Sequence, residues 1–167
     1  MGTLIEKKNN PDLTYNAMNR DSCINMAIEL NKFAKEQDTT KRFVMISSEK
    51  PPPFLEEYQT SKREAEDFLL SEECSNLKST IIRPGFLVDK DGRWWSIPLG
   101  VVVDIGYMVN EKVYKKTPLA SQLDFLFPAK SVQLRTVAHI ASEGLMGNLD
   151  ESFITNDMIM KIEDGLK

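Results

Sequence analysis

The sequence predicts an α/β fold of the doubly wound, parallel-sheet kind, with a βαβ core in its first half and a small α-rich C-terminal region. Three observations predict it. Two short runs, Arg42–Ser48 and Ser79–Arg83, are almost continuously apolar with polar residues only at their ends, as in strands covered on both faces in a parallel sheet. Between them lie a proline-rich loop and an amphipathic stretch, so strand, loop, helix and strand form one βαβ unit whose crossover should be right-handed. Ahead of them, from Leu13 to about Gln37, Met18, Ile24, Met26, Ala27, Leu30, Phe33 and Ala34 recur at helical spacing, which marks a long amphipathic helix.

The elements follow in order. After a short apolar start, Met1–Ile5, the cluster Asn9-Asn10-Pro11-Asp12 reads as a turn and leads into the first helix, which Asp38-Thr39-Thr40 ends. Pro51-Pro52-Pro53 forces an extended loop, since proline has no amide donor and restricts the residue before it. A second helix is expected from about Glu56 to Glu73, and Pro84-Gly85 stops the second strand. Asp89–Arg93 is a turn, Ile97–Lys112 is helical, and Ser121–Lys130 is apolar-rich but irregular. The end reads as extended at Val132–Arg135, helical at Thr136–Met146, a brief strand at Phe153-Ile154, and a short helix capped by Thr155 or Asn156. No repeat, low-complexity segment or domain boundary is visible. Residues 1–167 therefore form a single, partial domain, with the core in 1–88 and a substrate or partner region in 89–167.

Composition narrows the function. The 167 residues carry a net charge of -4 with acids and bases intermixed, so no basic face for nucleic acid is expected. Cys23 and Cys74 each fall in a helical pattern and are read as free thiols. His139 is the single histidine and reads as a surface residue of a late helix, so no metal site is expected. The longest apolar stretch, Ile97–Val109, is interrupted by Asp104 and falls short of the roughly 20 residues a spanning helix needs; it is buried or interfacial. The N-terminus shows neither a signal core nor a transit pattern, and Glu6 stands where myristoylation requires Ser or Thr. Trp94-Trp95 is read first as pocket lining or core packing, with contact to a membrane surface or a partner as the alternative.

Chemistry centres on Tyr58-Gln59-Thr60-Ser61-Lys62. Tyr58 and Lys62 are four residues apart, so they share a helical face continued by Ala65 and Leu69. Opening the helix after the first strand, both heads can point to the C-terminal end of the sheet, where open α/β sheets bind ligands. A phenol there can exchange a proton with a carbonyl or alcohol if its pKa falls towards neutrality, which a nearby ammonium and an oxidised nicotinamide both favour. Ser47 and Ser48 are read as completing strand-end hydrogen bonds, since no Ser-His-Asp order is present.

The strand Phe43-Val44-Met45-Ile46-Ser47-Ser48, the Tyr58/Lys62 helix and Ile81-Ile82-Arg83-Pro84-Gly85, in this order and spacing, resemble the later half of an extended or atypical short-chain dehydrogenase/reductase with a Rossmann-like, NAD(P)-binding fold. The resemblance is good over Met1–Val88 and looser beyond. Thr14-Tyr15-Asn16-Ala17-Met18-Asn19, Ser61-Lys62-Arg63-Glu64-Ala65-Glu66 and Ile82-Arg83-Pro84-Gly85-Phe86 resemble the atypical member associated with the mitochondrial coenzyme Q biosynthesis complex of fungi. The NAD(P)H-binding accessory subunit of respiratory complex I is a more distant likeness.

The resemblance implies Tyr58 as catalytic tyrosine and Lys62 as its lysine, which also holds the nicotinamide ribose. It implies Pro84, Gly85 and Phe86 as the loop presenting backbone groups to the carboxamide. The family's catalytic serine aligns best with Glu49, leaving Ser48 one residue short. Tyr58, Lys62 and Ser48 are thus the candidate catalytic set, and Tyr58, Lys62, Pro84, Gly85 and Phe86 the candidate cofactor-binding set. The sequence holds no glycine-rich dinucleotide turn, its closest glycine pair being Gly144 and Gly147. Met1–Ile5 resembles the tail of the family's fourth strand. NAD or NADP is therefore expected in a full-length context and not with this chain alone. The implied function is a scaffold or regulator in mitochondrial ubiquinone biosynthesis. The alternatives are an oxidoreductase or isomerase of a hydrophobic, quinone-like carbonyl and an accessory subunit of a respiratory complex. Implied partners are proteins of a mitochondrial quinone-synthesis or respiratory complex, a second copy of the chain, and a membrane surface touched peripherally.

Overall fold

A computed structural model describes residues 10–50, 55–112, 127 and 129–165, and among the described residues it has five strands and five α-helices. Of the expectations above, the Met1–Ile5 start, the Pro51–Pro53 loop and most of Ser121–Lys130 lie outside those residues. The elements are α1 (Ser22–Glu36), β1 (Lys41–Ile46), α2 (Glu56–Leu69), β2 (Leu77–Ile82) and β3 (Leu87–Val88). They continue with α3 (Ser96–Lys112), β4 (Val132–Gln133), α4 (Leu134–Met146), β5 (Phe153–Ile154) and α5 (Asn156–Gly165). β1, β2 and β5 form a parallel sheet in that order, and β3 pairs with β4, also in parallel.

Alternation along the strands divides the core in two. Met45 lies opposite Ile81, and both pack with Cys23, Ala27, Ala65, Leu69 and Cys74 beneath α1 and α2. Ile82 lies opposite Ile154, and both pack with Val132, Val137, Ile140 and Ile159 beneath α4 and α5. Helices thus cover both faces of a parallel sheet, as the doubly wound prediction requires. Cys23 and Cys74 are buried free thiols, as expected, and His139 is exposed on α4.

Several boundaries are corrected. The expected helix Leu13–Gln37 begins two residues later and runs unbroken to Glu36, its first turns wound as a π-helix, Asn16–Asp21, that leads directly into α1, with a separate 3-10 turn, Pro11–Leu13, ahead of it. The Thr14 side chain takes the Ala17 amide at 3.2 Å, and the Ser22 hydroxyl donates to the Met18 carbonyl at 2.6 Å, local bonds that compete with a regular α-helical register. The second helix stops at Leu69, where the Ser71 hydroxyl donates back to the Phe68 carbonyl at 2.8 Å and a 3-10 turn, Glu72–Cys74, inserts Cys74 into the core. The extended piece expected at Val132–Arg135 yields to α4 from Leu134. Coverage on both faces holds for β2, buried from Ser79 to Ile82. It fails for β1, where Ile46 is exposed, because β1 lies at the edge of the described sheet.

α4 ends at Gly147, whose φ of 92° places it in the left-handed region while its amide donates to the Glu143 carbonyl at 3.0 Å. That is the C-terminal cap that glycine alone adopts without strain.

Candidate active site

β1 and β2 end side by side, and the loops leaving them are tied together: the Ser47 amide donates to the Ile82 carbonyl at 2.7 Å and the Glu49 amide to the Pro84 carbonyl at 2.9 Å. α2 runs above this end with Ser61, Lys62, Ala65, Glu66 and Leu69 buried. Since Ala65 and Leu69 belong to the core, the face that carries Tyr58 and Lys62 is fixed against the sheet.

Lys62 is buried, and its ammonium donates to the Ile46 carbonyl at 3.1 Å, lying 6.0 Å from the centre of the Tyr58 ring. Burial holds its pKa below the usual lysine value, against the opposing influence of Cys23 and Glu66. The half-buried Tyr58 ring meets Tyr15 edge to face, with centroids 5.9 Å apart. Burial pushes the Tyr58 phenol up, opposed by Ser48 and reinforced by Tyr15. The sequence expectation of a depressed phenol is therefore corrected for the protein by itself: desolvation outweighs Ser48, and the Lys62 ammonium directs its proton at a strand-end carbonyl.

Of the two positions that compete for the family's serine, Ser48 is the one brought to Tyr58. Glu49, the better match in sequence, turns away, its carboxylate accepting the Asn156 amide at 3.0 Å at the start of α5. Ser48 is the residue that stands by the phenol, close enough to favour the phenolate yet short of ordinary hydrogen-bond geometry, since its buried hydroxyl oxygen has no partner of that kind. The Ser47 hydroxyl oxygen is likewise buried and without such a partner, so the strand-end bond of Ser47 is made by its backbone amide and not by its side chain. Polar atoms held at a sheet end with unused bonding capacity suit a polar ligand.

Two functional features escaped the sequence. The first is Glu66, 1% exposed, which accepts from Arg63 at 2.6 Å and from Arg83 Nε at 3.1 and 3.2 Å, with a further ion pair to Arg83 Nη2. Arg63 reaches on to the carbonyls of Ser48 and Glu49, both at 3.0 Å, and Arg83 lies 4.5 Å over the Phe153 ring. The signal was a carboxylate on the same helical face as Lys62 and Leu69. The second is Asn19, 2% exposed on the π-helix, whose side-chain amide donates to Ser61 at 3.5 Å, while Ser61 donates to the Tyr58 carbonyl at 2.8 Å. Its signal was an amide in line with Cys23 and Ala27, in a segment quoted only for its likeness.

The Pro84–Phe86 loop lies at the same sheet end. Asn156 knits it together: its side chain accepts the Gly85 amide at 2.7 Å and donates to the Lys130 carbonyl at 3.0 Å. The Phe86 carbonyl accepts the Val132 amide at 2.9 Å. A Cβ on Gly85 would stand 2.1 Å from the Lys130 carbonyl oxygen, so glycine is required by the close approach of two backbones. The side chains present therefore fit a nicotinamide nucleotide: Lys62 and Tyr58 could hold its ribose, with the two serine hydroxyls beside them. No group of three His, Cys, Asp or Glu that could hold a metal occurs among the described residues.

Residues 9–124 match the NAD-binding family described as male sterility protein. No curated protein and no solved structure matches the chain.

Proposed function

The chain belongs to the male sterility protein family, an NAD(P)-binding, Rossmann-like family related to the short-chain dehydrogenases, and we propose that its sheet end is the nicotinamide side of an oxidoreductase site. The substrate class is a hydrophobic carbonyl, quinone-like in character. One observation carries the reading: Ser48, Tyr58 and Lys62, from two elements, meet at the C-terminal end of a parallel sheet. A bound nicotinamide supplies the hydride. Tyr58 donates its proton to the substrate oxygen as that oxygen gains charge, and Ser48 donates a hydrogen bond to the same oxygen. Lys62, close to the ring, favours the phenolate left behind and holds the ribose. A phenol kept neutral by burial begins the cycle in the acid form that a reduction needs.

A second reading is favoured by the same burial, which holds both Tyr58 and Lys62 towards their neutral forms: the site retains nucleotide without turnover and the protein acts as a scaffold. Under either reading we place it in mitochondrial ubiquinone biosynthesis, supported by the likeness of the Thr14–Asn19, Ser61–Glu66 and Ile82–Phe86 runs. Its partners are the proteins of that complex, a second copy or a membrane surface. Support comes from Trp94 and Trp95, which are 75% and 51% exposed, against the expectation that they line a pocket or the core.

Tyr58→Phe in the complete polypeptide as its cell makes it separates the two readings. For an oxidoreductase, quinone production falls by a factor of about 10² with the loss of the proton carrier. Normal quinone levels in that variant would exclude Tyr58-dependent catalysis and leave the scaffold.

A further inference from the structure

Ser48 lies on the loop that leaves β1, and a hydroxyl on a loop acts on a phenol only while the loop is held. The inference that follows rests on the proton-transfer reading above. We propose that Arg63 is a positioning residue of the site: its guanidinium, anchored on buried Glu66, grips the Ser48 and Glu49 carbonyls and so keeps the Ser48 hydroxyl at the Tyr58 phenol. The geometry uses the planar fork of arginine. Nη1 meets Glu66 at 2.6 Å, while Nη2 spans both carbonyls at 3.0 Å. Glu66 is itself fixed from the other side by Arg83, at the end of β2. One buried carboxylate therefore couples the ends of two strands, and Arg63 converts that coupling into the position of Ser48. A lysine carries a point charge on a single nitrogen and cannot serve Glu66 and two carbonyls together.

Among the described residues, the groups that face Tyr58 are Ser48 from the β1 loop, Tyr15 from the N-terminal segment and Lys62 from its own helix. The charged and titratable neighbours of the Arg63–Lys62 side of α2 are Glu66, Arg83 and Cys23. Arg63 acts on Tyr58 through Ser48, so removing either should have one and the same effect on the phenol.

The test is ionisation of Tyr58 in this chain, read as tyrosinate absorbance after a rapid pH jump that outruns unfolding. Subtracting the Tyr58→Phe signal removes Tyr15, Tyr107 and Tyr114. Ser48→Ala should raise the Tyr58 titration by up to about one pH unit, the upper limit set by one full hydrogen bond to a charged group. Arg63→Gln should raise it by a similar amount, Arg63→Lys should raise it too, and Ser48→Ala with Arg63→Gln should exceed neither single change. If Arg63→Gln fails to fold, Arg63→Lys, which keeps the charge beside Glu66, decides. The proposal is overturned if the Arg63 variants leave Tyr58 unmoved while Ser48→Ala shifts it, or if the two changes add in full. No shift in Ser48→Ala overturns it as well, and in that case the Ser48–Tyr58 pairing of the proposed function falls with it.

Discussion

The sheet end and α3 are built on opposite plans. At the sheet end, polar groups are buried: Lys62 bonds the Ile46 carbonyl, Glu66 two arginines and Asn19 Ser61, while the Ser47 and Ser48 hydroxyls keep bonding capacity unused. In α3 the polar and small residues face inward, with Ser96, Gly100 and Asn110 buried and Asp104 accepting from the Ser131 amide and hydroxyl at 2.8 and 2.9 Å. Its outward residues are apolar: Leu99, Val101, Val102, Ile105 and Met108 are all exposed, Val102 to 69%. Burying polar groups is unfavourable unless they are fully bonded, and leaving a contiguous apolar face in water is unfavourable throughout. The first arrangement is what a ligand site needs; the second is what an apolar neighbour needs. Among the described residues no helix is long and apolar enough to cross a membrane.

The largest effect should come from the centre of the buried network. Glu66→Ala leaves Arg63 and Arg83 without their shared carboxylate and should cost about 3 to 5 kcal/mol, the range for breaking a buried ion pair. Urea denaturation of the chain measures it, and a loss below about 1 kcal/mol, the range of exposed ion pairs, would show that the network is solvated in place of being buried.

Gly85→Ala tests the loop by size alone. Its Cβ meets a backbone oxygen that no side-chain rotation can move, so about 2 kcal/mol should be lost to overpacking. An unchanged melting midpoint would mean that the two backbones lie farther apart.

Alkaline pH gives a smaller effect. The Tyr58 pKa is raised in the folded chain, so the neutral phenol's contribution is fully present below the ordinary tyrosine pKa and is lost as pH rises through the folded value. Stability of the wild type should therefore decline more steeply than that of Tyr58→Phe above the ordinary tyrosine range, and parallel curves would contradict the burial of the phenol. Lys62, whose pKa is lowered, acts in the opposite sense in the range below the ordinary lysine value, so the comparison with Tyr58→Phe is what isolates the phenol.

The smallest change in stability is expected on α3. Val102→Ser with Ile105→Ser should alter unfolding free energy by less than about 0.5 kcal/mol, as for other exposed positions, while lowering self-association seen by light scattering. A large destabilisation would place these side chains in a core.

What was legible in the sequence follows the same division. β1 and β2 were found to within two residues because their apolar runs are short and bounded by breakers, and Tyr58 with Lys62 was found because a spacing of four on a helix fixes a common face. Ser48 was named in the candidate set although alignment along the chain ranks Glu49 ahead; what the sequence could not show is that the Asn156 amide, more than a hundred residues away in sequence, draws the Glu49 carboxylate aside. The direction of the Tyr58 shift was misjudged because burial depends on packing that periodicity does not reveal. The exposure of Trp94 and Trp95 was misjudged for a related reason: composition favours burying tryptophan, but the Ser96, Gly100 and Asn110 side of the helix takes the inward position.

The central claim is that this sheet end holds the nicotinamide side of an NAD(P) site, and its most direct test is nucleotide content. The complete polypeptide purified from its own cells would be denatured and the released NAD(H) and NADP(H) quantified, for wild type and for Lys62→Ala. The account predicts that Lys62→Ala lowers retained nucleotide about tenfold, the loss of one hydrogen bond from a charged group, with the fold intact by circular dichroism. Equal nucleotide in the two proteins would contradict it.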